Sequence, residues 1–192
     1  MPYSGSALKD MAFRDFLAYI RAMEAELAAH KAERLAFAQA RLRELLLAQM
    51  PQAGVFSAKV PDIGMARRDT AGFSEHRFDR PLVSLLAQGS KETTIGGEIL
   101  RLEAPQLLTV CVDMPSSSRI LAASPQEPLL TLYFYLNPAL IRELLPALDG
   151  GNRLSQSGSG ILASQVDPDF MEAMLRLASI MEKEDHVQLR AE

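Results

Sequence analysis

The chain has 192 residues, of which 48% are hydrophobic and 23% are charged, and its mean hydropathy is +0.01. These values predict one ordinary soluble domain with an appended helical element. The net charge of -4 and the pI near 5.5 argue against a nucleic-acid-binding surface, because binding phosphates requires a basic face.

Cysteine usage and the N-terminal residues predict a cytoplasmic protein. Cys111 is the only cysteine, so an intramolecular disulfide is excluded and a reducing compartment fits. The first residues, MPYSGSALKDMAFRDF, contain no apolar stretch behind a basic start, so we predict no signal peptide. No run approaches the roughly 20 apolar residues of a membrane-spanning helix, so we predict no membrane contact.

Residues 1–54 are predicted to form an N-terminal amphipathic helical segment. Residues 6–50 contain no proline or glycine and are rich in Ala, Leu, Glu and Arg, which favour helix. Ser6 can cap the segment, and Pro51 and Gly54 end it. The segment is either one amphipathic helix or a pair of helices, with the break expected at Ala28–Arg34, where the apolar stripe weakens. Such a helix needs a partner in water. That partner is its own domain or a second copy of the chain, and periodicity does not decide between them.

Residues 55–136 change to the short, turn-punctuated apolar runs of an antiparallel barrel. The predicted strands are Met65–Ala66, Phe73–Phe78, Leu82–Ala87, Glu92–Ile95, Glu98–Leu102, Leu107–Val112, Arg119–Ala123 and Leu129–Leu136. Gly96 and Gly97 predict a hairpin turn, and Pro115 to Ser118 are interpreted as another turn. Many short strands joined by hairpins indicate a closed or nearly closed sheet.

Residues 137–192 are predicted to be helical again. Asn137 can cap a helix that opens at Pro138 and runs to Leu148, and Asp167 with Pro168 repeats this start for a second helix. The fold class is therefore α+β, with an antiparallel β-barrel flanked by α-helices at both ends.

Several short pieces, in this order and at these spacings, resemble the N-terminal sensor and dimerisation domain of AraC/XylS-family transcription regulators. They are Pro81, Ala87–Lys91, Gly96–Glu98, Val112–Pro115, Ala123–Pro125 and Asn137–Leu140. The resemblance covers about half of the chain, from Arg77 to Leu148. It implies a cupin-like barrel that senses an effector. It also implies a separate DNA-binding domain of two helix-turn-helix units. No basic recognition helix is visible in these residues, so we expect this chain to be the regulatory half alone, contacting DNA only through that further domain.

No catalytic or metal-binding constellation stands out. The histidines His30, His76 and His186 have no partners at ligand spacing, so we predict no metal and no cofactor. The alternative to a regulator is a cupin-like small-molecule enzyme, such as an isomerase or dioxygenase. The missing His and carboxylate metal ligands disfavour this alternative. Cys111 is interpreted as an inert core cysteine. The other interpretation is a redox or electrophile sensor, for which Arg119 is the only nearby cation by sequence.

Strand alternation predicts where a ligand would bind. In Leu129–Leu136, one face is wholly apolar and would pack on the following helices, whereas Thr131, Tyr133 and Tyr135 form an amphipathic face. Buried tyrosine hydroxyls need partners, so this face suits a cavity, although side chains alone can fill a small barrel. The resemblance places Leu86 and Tyr133 at ligand-contacting positions. Leu86 replaces a charged contact of sugar-binding relatives, which favours a smaller or more apolar effector, or none.

A homodimer is predicted, since paired regulators read paired half-sites on DNA. The sequence offers the apolar helix Phe13–Leu46 as the contact, while the resemblance favours the helices within Leu140–Met181.

Overall fold

The computed structural model of the protein describes residues 13–58, 60–78, 80–111, 113–144, 160–183 and 187–189. The helices are α1 (Phe13–Gln49), α2 (Pro138–Leu144) and α3 (Pro168–Lys183). The strands are β1 (Gly54–Ala58), β2 (Ile63–Arg68), β3 (Gly72–Phe78), β4 (Leu82–Gln88), β5 (Ser90–Ile95), β6 (Glu98–Glu103), β7 (Gln106–Val110), β8 (Met114–Ala122), β9 (Leu129–Tyr135), β10 (Ile161–Gln165) and β11 (Val187–Leu189).

The strands form two antiparallel sheets. One has seven strands in the order β10-β7-β4-β9-β2-β1-β11, and the other has four in the order β3-β8-β5-β6. This mixture of helices and antiparallel strands confirms the predicted α+β, cupin-like fold. In the described residues the two sheets do not join into one closed sheet. Strands β10 and β11, which the sequence analysis does not predict, lie at the two edges of the larger sheet.

The space between the two sheets, called the barrel interior below, holds one of two hydrophobic clusters. The larger sheet contributes Leu82, Leu86, Leu108, Val110 and Leu129, and the smaller sheet contributes Ile95, Leu102 and Ile120. Along β4, the predicted alternation is confirmed, because Leu82 and Leu86 lie in this cluster whereas Leu85 and Ala87 lie on the opposite face.

The second cluster lies between the outer face of the larger sheet and the helices. Leu130 and Leu132 of β9 pack there with Leu42 and Leu46 of α1 and with Met174 of α3. The predicted apolar face of β9 is therefore covered by a preceding helix as well as by a following one. Polar links add to this packing: Gln39 of α1 donates to the Ala87 carbonyl at 3.0 Å, and Gln49 donates to the Ala178 carbonyl at 3.0 Å.

The structure decides between the two alternatives for the N-terminal segment and corrects one turn. Helix α1 is a single helix that runs without a break through Ala28–Arg34, because the residues there remain good helix formers even though the apolar stripe weakens. The segment Pro115 to Ser118 is not a turn but part of β8, which lies between β3 and β5. Small polar residues resemble turn formers in composition, but here pairing with neighbouring strands overrides that local preference.

The predicted helix caps are confirmed. The Asn137 Oδ1 accepts a hydrogen bond from the Ala139 amide at 2.9 Å, and the Asp167 Oδ1 accepts one from the Phe170 amide at 2.8 Å. The predicted Ser6 cap and the predicted end of the first of these helices at Leu148 lie outside the described residues.

Candidate functional site

All four predicted site residues share the barrel interior. Leu86 of β4 lies opposite Thr131 of β9 in the register of the larger sheet, and both side chains are buried. Tyr133 and Tyr135 follow on the same face of β9, opposite Ser84 and Leu82. Strand alternation, which is local information, was sufficient to place Thr131, Tyr133 and Tyr135 on one face, whereas Leu86 came from the family resemblance.

Tyr133 lies against a gap that only glycine leaves open. Its partner in β2 is Gly64, and a Cβ at Gly64 would lie 2.3 Å from the Tyr133 Cζ and 2.3 Å from its hydroxyl oxygen. The phenol end of the ring therefore occupies the volume that a side chain at this position would take. Gly64 thus fixes how closely the Tyr133 ring can approach β2.

Tyr135 lies at the end of the interior where β9 finishes. Its ring meets the Tyr133 ring edge-on, with 5.8 Å between centroids and an interplanar angle of 82°. The Arg80 guanidinium lies 3.8 Å from the Tyr135 ring centroid and donates to the Asp62 carboxylate at 2.6 Å. One face of the Tyr135 ring is therefore covered by the protein itself.

The facing sheet contributes polar groups that the sequence analysis missed. Thr93 of β5 and Ser118 of β8 are buried, and their hydroxyl oxygens are 3.0 Å apart. Ser116, two residues before Ser118 on the same strand, is also buried. Alternation in Ser90–Ile95 would have identified Thr93, but reading Pro115 to Ser118 as a turn hid the two serines.

Gln88 carries an unsatisfied acceptor at the end of β4, where its register partner Leu130 belongs to the cluster between the larger sheet and the helices. Its Nε2 donates to the Pro128 carbonyl at 2.7 Å, which fixes the orientation of the amide. The Gln88 Oε1 is buried and has no hydrogen-bond partner among the described residues. Buried acceptors are nearly always satisfied in folded proteins, so this oxygen calls for a donor that the described chain does not supply.

Lys91 lies near Gln88, at the start of β5. Its register partners, Leu102 of β6 and Ile120 of β8, both belong to the interior cluster. Burial of the ammonium and, as the smaller effect, the positive charge of Arg68 on β2 together lower the pKa of Lys91 to about 8. The interior thus contains a costly cation that the sequence analysis quoted within a motif but did not interpret.

The interpretation of Cys111 as a core residue is wrong. Cys111 is exposed and follows the last residue of β7, and its amide donates to the Gly160 carbonyl at 2.7 Å. Alternation explains this, because Val110 faces the interior and the next residue must point the other way.

Metal ligands do not cluster in the described part of the chain, where no group of three His, Cys, Asp or Glu side chains could hold an ion. The described helices also include none with the length and apolarity that crossing a membrane requires. An open cleft outside the barrel lies between α1 and α3, lined by His30, Glu33, Phe37 and Leu175 among others. Arg34 spans it by donating to Asp169 at 2.7 Å and to Glu172 at 2.9 Å, and these hydrogen bonds raise the pKa of the guanidinium.

Among solved structures, ToxT from Vibrio cholerae O395 bound to (E)-4-(8-methylnaphthalen-1-yl)but-3-enoic acid is similar, with a TM-score of 0.50 and 9% identity over 67% of this chain and 48% of that chain. An apo variant of ToxT from strain SCE256 has a TM-score of 0.49 and 12% identity over 65% of this chain and 49% of that one. A cupin superfamily protein from Desulfitobacterium hafniense DCB-2 has a TM-score of 0.35 and 16% identity over 43% of this chain and 76% of that one. This chain therefore spans about half the length of ToxT.

Comparison of the sequence with curated proteins gives no match. A family model described as the AraC-type transcriptional regulator N-terminus matches residues 59–192, from the end of β1 through all later strands and helices. This match confirms the resemblance seen in the sequence. The protein belongs to the family of AraC-type transcriptional regulator N-termini and is the regulatory part of such a regulator.

Proposed function

We propose that this domain binds a small-molecule effector between its two sheets and controls DNA binding by a helix-turn-helix domain of the same regulator. The observation that carries the proposal is the shared interior face of Leu86, Thr131, Tyr133 and Tyr135. Such a face offers apolar contact area together with hydroxyl groups that fix a ligand's orientation.

The polarity of the interior supports ligand binding over a solid hydrophobic filling. Five hydroxyl side chains from both sheets, Ser84, Thr93, Ser116, Ser118 and Thr131, are buried among the apolar residues. A few polar groups on an otherwise apolar surface are typical of a ligand site, where they fix the orientation of the bound molecule.

The similarity to ToxT supports the same proposal at the level of fold. ToxT has been solved with a small organic acid, and this chain shares its fold over 67% of the residues. The identity of 9% is too low to transfer individual contacts, so the binding residues proposed here rest on the geometry of this chain.

A thermal-shift screen of small aromatic and aldehyde-like compounds tests the proposal, because a ligand that binds the folded state raises its melting temperature. We expect Tyr133→Ala to remove the shift produced by a confirmed ligand. Tyr19→Ala is the matched control, since Tyr19 lies on α1, far along the chain from the sheets. If Tyr133→Ala left the shift unchanged, the effector would have to bind elsewhere.

We further infer that the domain acts as a homodimer through the first half of α1. No side chain in residues 13–33 is buried, so this part of the helix projects from the domain for about 30 Å at ~1.5 Å per residue. Phe13, Phe16, Met23 and Leu27 are exposed there, and with Ile20 they follow the alternating three- and four-residue spacing of a coiled coil. A second copy would cover this stripe by a two-fold contact.

We propose regulation rather than catalysis, and the family match supports this proposal. A cupin-like enzyme would need converging metal ligands, and the described residues contain no such group. Metal analysis of the purified protein tests this inference. Stoichiometric iron, zinc or manganese would favour an enzyme instead.

A further inference from the structure

Helix α1 presents one continuous face along its length, and the domain covers only the second half of that face. In the first half, the face carries an apolar stripe, exposed except for the half-buried Ile20, that comprises Phe13, Phe16, Ile20, Met23 and Leu27. Arg34 lies one heptad after Leu27, so its side chain leaves the helix on the same face. The stripe therefore continues directly into the part of α1 that Arg34 occupies.

Helix α3 covers this face from Arg34 onward. The Arg34 guanidinium donates to Asp169 at 2.7 Å and to Glu172 at 2.9 Å, and both carboxylates lie near the start of α3. Further along α1, Gln49 donates to the Ala178 carbonyl of α3 at 3.0 Å. The two helices therefore run in the same direction, and α3 begins at the level of α1 where the stripe ends.

The position of α3 restricts how a second copy can cover the stripe. Packed helices lie about 8–10 Å apart, whereas one helix with its side chains is about 10–12 Å wide. In a parallel pair, both copies would reach Arg34 at the same level, and both α3 helices would need the space between the two α1 helices. That space is too narrow, and α1 has no break at which it could diverge.

An antiparallel pair avoids this clash. At the level of Arg34, the partner helix has already passed the end of its own stripe, so only one α3 lies on that part of the face. The partner helix and α3 then cover the face of α1 one after the other. The domain bodies lie at opposite ends of the paired helices and do not compete for space.

The order of the apolar residues also fits an antiparallel pair. When Ile20 faces the partner's Met23, two-fold symmetry places Phe16 opposite the partner's Leu27. Apolar residues thus meet apolar residues in four layers of the seam. The stripe is complementary to its own copy, which identifies a second copy of this chain as the occupant.

Charge does not oppose this register. The flanking carboxylates Glu24 and Glu26 lie opposite the partner's Leu17 and Tyr19, so like charges do not face each other. In a parallel pair, Glu26 would lie near the partner's Lys31, which is also favourable. Charge therefore permits both directions, and the position of α3 decides between them.

We propose that two copies pair antiparallel through the first halves of their α1 helices, with Phe13 of each copy docked at the cleft between α1 and α3 of the other. This deepens the homodimer proposed above and rests on it. In this register Phe13 faces the partner's His30, which lines the cleft together with Phe37. The Phe13 side chain is 76% exposed and Phe37 is 69% exposed, so both have apolar surface to bury in such a contact.

The test measures the direction of pairing with spin labels on the full chain carrying Cys111→Ser. Ala18 and Ala32 are exposed and lie on the far side of α1 from the stripe, so a labelled cysteine there leaves the paired face intact. In the proposed register, the two labels of an Ala18→Cys dimer are offset along the helices by about 10 Å and those of Ala32→Cys by about 31 Å, at ~1.5 Å per residue. We expect electron paramagnetic resonance to give a distance about 10 Å longer for Ala32→Cys, once the separation across the pair is included.

Disulfide trapping in the same background tests the register. A mixture of Phe16→Cys protein with Leu27→Cys protein should form an intermolecular disulfide under oxidised glutathione, because facing positions fall within the roughly 4.4–6.8 Å between Cα atoms that a disulfide spans. About half of the dimers are mixed after random exchange, so the trapped fraction should approach that level. Each protein alone should remain uncrosslinked. The matched control mixes Ala18→Cys with Ala29→Cys, which have the same spacing on the far side of α1, and should not crosslink.

The outcomes separate this inference from the proposed homodimer. A wild-type monomer at micromolar concentration, measured by light scattering, overturns both. A dimer with equal label distances at Ala18 and Ala32, or with Phe16→Cys crosslinking to its own copy, is parallel, so the homodimer stands and the antiparallel pairing is wrong. A dimer that survives Phe16→Glu with Leu27→Glu pairs outside α1, which overturns the docking of Phe13 as well.

Discussion

At the scale of single residues, Lys91 makes the stability of the unliganded domain depend on pH. Folding lowers its pKa from 10.5 to about 8. Between these values the unfolded chain keeps a proton that the folded chain has released, so the free energy of unfolding rises with pH across this window. Below about pH 8, both states hold the proton, and the folded domain bears the full cost of a charge in the interior.

Replacing Lys91 with methionine should therefore change stability in a pH-dependent way. We expect the gain in unfolding free energy over the wild type to be largest at neutral pH and to shrink as pH rises above about 8. Urea denaturation of both proteins at several pH values measures this difference. A difference that stayed constant with pH would mean that the ammonium is well solvated in the folded protein.

Gly64 gives a second residue-scale prediction. A methyl group there would overlap the Tyr133 ring, and the ring's outer end is the part that must move. We expect Gly64→Ala to cost about 1–3 kcal/mol of stability, as overpacking does. We also expect it to weaken binding of a confirmed effector although Tyr133 is still present. Calorimetric titration alongside Tyr133→Ala checks this, and wild-type affinity in Gly64→Ala would show that the ring position is irrelevant to binding.

At the scale of secondary-structure elements, helix α1 has two halves with different roles. Its C-terminal part contributes Ala38, Leu42 and Leu46 to the cluster beneath the larger sheet, whereas residues 13–33 contribute no buried side chain. One continuous helix therefore anchors to the domain at one end and leaves an apolar stripe uncovered at the other.

Matched leucine truncations should separate these halves. Leu46 is completely buried, so Leu46→Ala should lower the free energy of unfolding by about 2–5 kcal/mol. Leu27 is 55% exposed, and Leu27→Ala should change the intrinsic stability of one domain by no more than about 0.5 kcal/mol. Urea denaturation at low protein concentration measures both. Equal losses would mean that the first half of α1 is packed on its own domain.

At the scale of the whole molecule, the uncovered half of α1 predicts association. Most helical stability in proteins comes from packing of an apolar face, so an apolar stripe over several turns is best explained by a partner helix. We expect Phe16→Glu combined with Leu27→Glu to give a folded monomer, because both positions are exposed and charge would oppose helix pairing. Size-exclusion chromatography with light scattering decides the matter.

Helix α2, which follows the barrel, provides the matched control for this experiment. Leu140 and Leu144 of α2 are also exposed, and α2 buries none of its described residues. If Leu140→Glu with Leu144→Glu produces the monomer instead, the interface lies after the barrel, as the family resemblance suggested. A wild-type monomer at micromolar concentration would refute the homodimer altogether.

Features that depend on residues close together in the chain were predictable from the sequence. The face shared by Thr131, Tyr133 and Tyr135, the opposite apolar face of β9 and the caps at Asn137 and Asp167 depend on neighbours within a few residues. The family resemblance supplied the cupin-like arrangement, and its family assignment is confirmed by the match over residues 59–192.

Features that join distant parts of the chain required the tertiary structure. Strand alternation could place Lys91 on one face of β5, but only the pairing of β5 with β6 and β8 sets it between the buried Leu102 and Ile120. The same is true of the Thr93–Ser118 hydroxyl pair and of the Gly64 gap that admits the Tyr133 ring. Sequence by itself determined the three helices, most of the strands between β2 and β9, and the apolar sides of β4 and β9, because those properties follow from local periodicity. The chemistry of the interior was decided by strand pairing and sheet packing, because contacts between residues far apart in sequence leave no local pattern to read.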